Sequence, residues 1–165
     1  MQVIHDPVFN NFETGTVPED ALRVRITEIL GFDELISKEV FEDAWNALIL
    51  DIPIARLQLL EKLSHDHRLF LLSNTNSIHI RRVTGVVQEL IGEDSIGHLF
   101  EEVYYSHVIN MRKPGREIYD FVLQDSNLNP KETVFLDDSP LNFTGAHEAG
   151  IDTIFVDRDI REIFA

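Results

Sequence analysis

The sequence predicts an α/β fold in which a Rossmann-like parallel sheet carries a small helical cap. Apolar residues recur with a helical period through the first third of the chain. After His67, short apolar runs of strand length alternate with helical segments, which is typical of a parallel sheet covered by helices. A chain of 165 residues is long enough for one such unit. We expect a helical part over residues 1–52 and an α/β core over residues 53–165.

The expected cap consists of helices. Thr16, Pro18 and Glu19 resemble a helix start, because proline suits the first turn and a glutamate three residues after a threonine suits a capping box. Ser37 is a suitable N-cap for a second helix. Pro53 is suited to begin a third helix. We expect the large aromatic residues of this region to form its core rather than to contact a substrate. These residues are Phe9, Phe41 and Trp45.

Four short apolar runs are expected to form the strands of the core. Each run ends in polar or turn residues, as buried strands do. The runs are RLFLLSN, EEVYYS, TVFLDD and DTIFVD. Parallel strands need crossover connections, and the segments between the runs have helical patterns that suit this role.

The composition argues against several classes of function. The chain has 14 basic and 29 acidic residues and a formal net charge of −15 at pH 7, which would repel nucleic acid and anionic membranes. No apolar run is long enough to span a bilayer, and the first residues have no signal-peptide pattern. The absence of cysteine suits a reducing compartment. We therefore expect a cytoplasmic protein that binds neither nucleic acid nor membrane.

Polar side chains follow the predicted strands at the edge where a parallel sheet binds ligands. Ser73 and Asn74 end the first run, Asp137 and Asp138 end the third, and Lys113 lies between these runs, after the second. Hydroxyl, amide and ammonium groups can bind phosphate, and paired carboxylates can bind a hard cation such as Mg²⁺. Each pattern alone is also common in turns and at helix starts. Their order on successive strand ends favours a site for phosphate and metal.

Three segments resemble motifs of the haloacid dehalogenase superfamily. The segments LFLLSNT, MRKPGREIYDFVL and VFLDDSPLNFTGAHEAGI are similar to its second, third and fourth motifs. The chain looks most similar to the small phosphatases of this superfamily that act on sugar phosphates such as glucose 1-phosphate. The resemblance implies a Mg²⁺-dependent phosphomonoester hydrolase that acts on a small phosphorylated metabolite through an aspartyl phosphate.

The resemblance also implies a role for each candidate residue. Ser73 and the amide of Asn74 would hold phosphate oxygens, and Lys113 would bridge the phosphate and the nucleophile. Ser73 and Lys113 are therefore the expected catalytic residues of this chain. Asp138 would be the direct metal ligand, and Asp137 would share or support the metal site.

The chain departs from the superfamily at the first motif, an apolar strand that ends Asp-x-Asp. In the superfamily this strand carries the nucleophile and the acid/base, and it lies at the centre of the sheet. Here the resemblance begins inside the cap, so we expect the strand and its carboxylates to be missing. The strands that end at Ser73 and Asp137 would then pair directly, or a neighbouring molecule would fill the gap. An open gap invites another chain, which leaves a homodimer among the expected partners.

Two interpretations of function remain open. The chain is either a phosphatase whose recorded sequence lacks its start, or a non-catalytic member that binds phosphate or a partner without turnover. The segment TIFVDRDIRE has the shape of the missing motif, with Asp157 and Asp159, but only six residues follow Asp159. That is too short for a cap to follow, and we expect a solvated strand end there.

Overall fold

The computed structural model describes residues 6–164, which form an α/β fold. The helices before the first strand are α1 (Pro7–Glu13), α2 (Glu19–Leu30), α3 (Lys38–Asn46) and α4 (Ile54–Ser64). The strands are β1 (Phe70–Ser73), β2 (Glu102–Tyr105), β3 (Val134–Asp137) and β4 (Asp152–Phe155). The helices that follow β1 are α5 (Ser77–Ile91), α6 (Ser106–Ile109), α7 (Arg116–Asp125), α8 (Phe143–Glu148) and α9 (Ile160–Ile163). All four expected strands are present, and the predicted fold class is confirmed.

Helices α2 and α3 both begin where the sequence predicts, but the expected side-chain cap is present only at α3. The Ser37 hydroxyl accepts a hydrogen bond from the amide of Val40, so the predicted N-cap of α3 is correct. Helix α2 begins at Glu19 with Pro18 as its N-cap and has no side-chain cap. The prediction that Thr16 caps this helix is wrong, because the Thr16 hydroxyl instead donates to the carbonyl of Asn11 at the end of α1.

The helical part has its own apolar core, which continues into α5. Phe12, Leu22, Ile26 and Phe41 are buried together with Ile78, a residue of the first turn of α5. Trp45, Phe9 and Phe41 were expected to form core, and they do so. The Trp45 ring stacks on Phe9, with 6.1 Å between ring centroids, and on Phe41, with 5.6 Å. The helical part is thus anchored on the helix that follows β1.

The strands form two separate parallel pairs. Strand β1 pairs with β2, with Phe70 opposite Glu102 and Ser73 opposite Tyr105. Strand β3 pairs with β4 in the same direction. Within residues 6–164, β1 and β3 do not pair with each other, so the direct pairing that was one of our two expectations does not occur. The ammonium of Lys113 instead bridges the two strands, because it donates to the carbonyl of Leu72 and to the carboxylate of Asp137.

The two strand pairs nevertheless pack on one apolar cluster. Ile118 and Tyr119 of α7 form the centre of this cluster with Ala146 and Ile151. Leu72 from β1 and Phe135 from β3 pack against it from the sheets. The cluster therefore holds the carboxyl ends of β1 and β3 in a fixed relation. No helix in the described range is long and apolar enough to cross a membrane.

Candidate active site

Lys113 is the central residue of the site and is almost completely buried. Its Nζ lies 2.7 Å from Oδ2 of Asp137 and 2.9 Å from the carbonyl oxygen of Leu72. The two charged side chains are only 9 % and 6 % exposed. A buried charge is tolerated when it is paired and hydrogen-bonded, and both conditions hold here. The lysine thus presents its positive charge where β1 and β3 end.

Asp137 receives hydrogen bonds from three groups. Besides Lys113, the amide of Ser139 donates to Oδ1 at 2.7 Å, and the side-chain amide of Asn142 lies 3.0 Å from each carboxylate oxygen. Burial is the largest single influence and raises the pKa of Asp137, but these three donors together outweigh it and hold the pKa below its usual value. Asp137 is therefore ionised at neutral pH.

The adjacent carboxylates Asp137 and Asp138 have different environments. Asp137 is buried and offset by Lys113, whereas Asp138 is exposed and forms no side-chain hydrogen bond within residues 6–164. Two neighbouring negative charges are tolerated because water solvates one of them and an ammonium neutralises the other. Asp138 therefore has all its lone pairs available for a ligand.

Asn74 fixes the loop that carries Lys113. Its side-chain amide donates to the carbonyl of Lys113, and its side-chain carbonyl accepts from the amide of Lys113, both at 2.9 Å. The next residue, Thr75, is held in the same way, because the buried hydroxyl of Ser106 bonds both its amide and its carbonyl. The loop after β1 is thus tied to the residues after β2. This role of the Asn74 and Ser106 side chains was not predicted from the sequence.

An open cleft of about 640 Å³ lies at this end of the sheets. It is lined by Asn74, Arg112, Lys113, Pro114, Ser139, Leu141, Asn142 and Thr144. Two of the predicted site residues, Asn74 and Lys113, line the cleft directly. Ser73, Asp137 and Asp138 are not among the lining residues. Ser73 ends β1, and its hydroxyl forms no side-chain hydrogen bond within the described range.

The carboxylates fit a partial magnesium site. Mg²⁺ keeps several waters in proteins and is commonly bound by one or two carboxylates together with phosphate oxygens. Asp138 offers free oxygens and Asp137 lies beside it with its charge already offset. No cluster of three or more histidine, cysteine, aspartate or glutamate side chains suited to a metal occurs in residues 6–164. Two adjacent carboxylates of the described range are thus of the kind that such an ion prefers.

Two contacts near the site have little signal in the sequence. Asn142 lies five residues after Asp137, and its helix-start position gives no hint that it bonds a carboxylate. Arg112 forms an ion pair with Glu13, a residue 99 positions away, with 2.7 Å between Nη2 and Oε2. The adjacency of Arg112 to Lys113 is the one sequence feature that could have indicated its place in the cleft.

Asp157 and Asp159 have structural contacts. The Asp159 carboxylate caps α9 by accepting from the amide of Arg161, and the Arg161 guanidinium lowers the pKa of Asp159 to about 2. Asp157 pairs with the neighbouring Arg158. Neither residue lines the cleft. The expectation of a solvated strand end agrees with these contacts.

The chain is similar to known phosphatases over most of its length. Residues 56–156 match the model of the haloacid dehalogenase-like hydrolase family. A curated D-ribitol-5-phosphate phosphatase of Bacteroides thetaiotaomicron is 26 % identical over 146 residues, which is 88 % of this chain and 69 % of that protein.

Solved structures agree with this match. The HAD family enzyme bt-2542 of Bacteroides thetaiotaomicron, in complex with magnesium and inorganic phosphate, is 32 % identical. The match covers all of this chain and 84 % of that one, with a TM-score of 0.89. A predicted HAD-like family hydrolase of Porphyromonas gingivalis is 26 % identical over 99 % of this chain and 82 % of its own, with a TM-score of 0.85. The expectation of Mg²⁺ agrees with the magnesium in the first of these structures. The matched family model, the shared fold and the similarity to bt-2542 show that the chain belongs to the haloacid dehalogenase-like hydrolases.

Proposed function

We propose that the chain is part of a cytoplasmic, Mg²⁺-dependent phosphomonoester hydrolase whose substrate is a small sugar or polyol phosphate. The observation that carries this proposal is the buried Lys113, which lines an open cleft and pairs with Asp137, the sequence neighbour of the exposed carboxylate of Asp138. The ribitol-phosphate phosphatase and the magnesium and phosphate complex among its relatives support the same chemistry. We assign residues 1–52 to the cap and residues 53–165 to the core of this enzyme.

The phosphate group would be bound where β1 ends. The ammonium of Lys113 offsets the phosphate charge, and the Ser73 hydroxyl and the backbone amide of Asn74 hold the phosphate oxygens. The Asn74 side chain keeps Lys113 in place through its two bonds to the backbone of that residue. Asp138, with Asp137 in support, would hold Mg²⁺. When bound, the cation would neutralise the charge that develops on the phosphoryl group.

Transfer of the phosphoryl group needs a carboxylate, and the cleft lining formed by residues 6–164 contains none. We propose that it is supplied by a strand seated between β1 and β3, a position that no strand of residues 6–164 occupies. A carboxylate oxygen would form a bond to phosphorus while the ester bond breaks, and the alcohol would leave with a proton from an acid on the same strand. Water would then attack phosphorus and release phosphate and the free carboxylate.

A second candidate is a non-catalytic member that binds a phosphate ester without turnover. It is favoured by the same lining, because the lining residues of the described range include no carboxylate. Both candidates have a small phosphorylated molecule as ligand. The chain has a net charge of −15, so neither nucleic acid nor an anionic membrane is a suitable partner for it under either candidate function. A homodimer that closes the gap between the strand pairs is compatible with both.

Binding of inorganic phosphate to the chain and to Ser73→Ala, measured by calorimetry with Mg²⁺ present, tests the proposed site. Loss of one hydrogen bond to a charged ligand should weaken binding by about tenfold. Ser64→Ala is a matched control, because Ser64 is exposed at the end of α4. This variant should bind phosphate with the affinity of the parent. Equal affinity of the parent and Ser73→Ala would remove Ser73 from the site, and no binding by the parent would refute the proposal.

A further inference from the structure

An ion pair between the helical part and the core lies at the edge of the cleft. The guanidinium of Arg112 lines the cleft next to Lys113; its Nε donates to Oε2 of Glu13 at 2.9 Å, and its Nη2 lies 2.7 Å from the same oxygen. The two side chains are 34 % and 32 % exposed, so both remain accessible to a ligand. A partly exposed pair of this kind contributes little to stability, which leaves its position at the cleft without a structural explanation.

The pair is held by a close fit between the end of α1 and the loop after α6. The side-chain amide of Asn110 donates to the carbonyl of Thr14 at 2.7 Å. Gly15 has a φ of +69° and packs so tightly that a Cβ at this position would overlap the carbonyl oxygen of His107. Glu13 and Arg112 are therefore positioned by the fold on both sides, as a specific ligand contact requires.

The pair retains one donor group and one acceptor. A guanidinium has five N–H groups, of which the one on Nε of Arg112 is hydrogen-bonded to Glu13, while Nη2 lies within ion-pair distance of the same carboxylate oxygen. Within residues 6–164, Nη1 of Arg112 and Oε1 of Glu13 have no hydrogen-bond partner. The pair has no net charge, so it does not attract a second anion as a lone arginine would. A hydroxyl group, which both donates and accepts, matches this arrangement.

We propose that the Arg112–Glu13 pair determines substrate specificity by binding hydroxyl groups of the leaving alcohol. This inference rests on the proposed function, because it places the phosphate at Lys113 and the alcohol beside Arg112. It selects polyol or sugar monophosphates over two other classes. Apolar phosphate esters lack the hydroxyl groups, and the neutral pair gives no net attraction to a second anionic group.

Calorimetric titration of the full chain with Mg²⁺ and matched ligands tests the proposal. Glycerol 3-phosphate carries the hydroxyls, propyl phosphate lacks them, 3-phosphoglycerate replaces one with a carboxylate, and inorganic phosphate reports the phosphate site alone. The parent should bind glycerol 3-phosphate about tenfold more tightly than propyl phosphate. Arg112→Gln should lose this preference and keep its affinity for inorganic phosphate within about twofold, because the lost bonds are those to the alcohol.

Glu13→Gln separates a ligand contact from a structural tie. Removing the carboxylate frees Arg112, so this variant should shift its preference from glycerol 3-phosphate towards 3-phosphoglycerate by about tenfold. A purely structural pair would instead respond alike to loss of either partner. Arg116→Gln is the matched control, since Arg116 pairs with Asp120 on α7 and does not line the cleft. It should leave all four affinities unchanged.

The results that would contradict the specificity role differ from those that would contradict the proposed function. If the parent binds inorganic phosphate but does not distinguish glycerol 3-phosphate from propyl phosphate, the specificity role is refuted and the phosphate site stands. The same conclusion follows if Arg112→Gln and Glu13→Gln weaken every ligand equally. If the parent does not bind inorganic phosphate, the proposed function and this inference both fail.

Discussion

Lys113 and Asp137 form a buried ion pair, with 2.7 Å between Nζ and Oδ2, that connects two strand pairs which share no backbone hydrogen bonds in the described range. The same ammonium also bonds the Leu72 carbonyl on β1. One side chain therefore spans the space between β1 and β3. Its charge is held at the end of both strands, where the proposed phosphate site lies.

Replacing Lys113 by methionine should lower the free energy of unfolding by about 3 kcal/mol, because Asp137 would remain buried without its counter-charge. Urea unfolding at pH 7 measures this loss. Asp137→Asn in the same chain should restore part of it, since the uncompensated charge is removed. Lys62→Met is the control, because Lys62 is exposed on α4. If Lys113→Met loses no more free energy of unfolding than Lys62→Met, the Lys113–Asp137 pair does not stabilise the fold as argued.

The contact between the helical part and α5 should make stability depend on pH. The hydrogen bond from Arg81 is the largest influence on Glu19 and, with one from Ser77, lowers the pKa of Glu19 below its usual 4.5 although burial opposes this. A carboxyl whose pKa is lower in the folded state contributes stability above pH 4.5. This contribution is lost as the pH falls through the folded-state value.

Glu19→Gln should accordingly lower stability by about 1 kcal/mol at pH 7 and by less at pH 3, because the contribution of the carboxylate declines as the pH falls below 4.5 towards its lowered folded-state pKa. Urea midpoints of parent and variant at the two pH values give the comparison. Glu39→Gln, at an exposed position of α3, should match the parent at both. An undiminished difference between parent and Glu19→Gln at pH 3 would show that the Arg81 contact is not its source.

Gly145 of α8 packs against the segment that follows Lys113. A Cβ at this position would overlap the carbonyl oxygen of Pro114 and lie 2.8 Å from the Tyr119 ring. Gly145→Ala should therefore lower the free energy of unfolding by about 2 kcal/mol. Gly85→Ala is the opposite case, because Gly85 lies within α5 with open space around it. This variant should raise the free energy of unfolding by about 0.5 kcal/mol, since alanine favours the helix. Thermal unfolding of the two variants distinguishes them, and equal effects would contradict the packing.

The sequence predicted the strands well because each is an apolar run closed by polar residues, a signal that depends on neighbours in the chain. The N-cap at Ser37 is local in the same way and was also correct. At Thr16 an equally local signal was wrong, because the hydroxyl bonds the end of α1 instead. The absence of pairing between β1 and β3 could not be predicted, since strand pairing is a tertiary property.

The candidate site was predicted as a set of strand-end residues rather than as a geometry. The structure joins Asn74, Lys113 and Asp137 by hydrogen bonds, as their positions at strand ends suggested. The roles predicted for all five residues in binding phosphate and metal stay predictions. The contacts of Asn142 and of Arg112 with Glu13 were missed because they depend on how loops meet, which no periodicity or motif spacing records.

Hydrolysis of p-nitrophenyl phosphate in the presence of Mg²⁺, by this chain and by Asp138→Ala, tests the account most directly. Asp51→Ala, at an exposed position before α4, serves as the matched control. We expect none of the three proteins to release nitrophenolate, because the lining residues in the described part of the chain include no carboxylate. Release of nitrophenolate by the parent and by Asp51→Ala, and its loss in Asp138→Ala, would contradict the account and place a nucleophile within the chain.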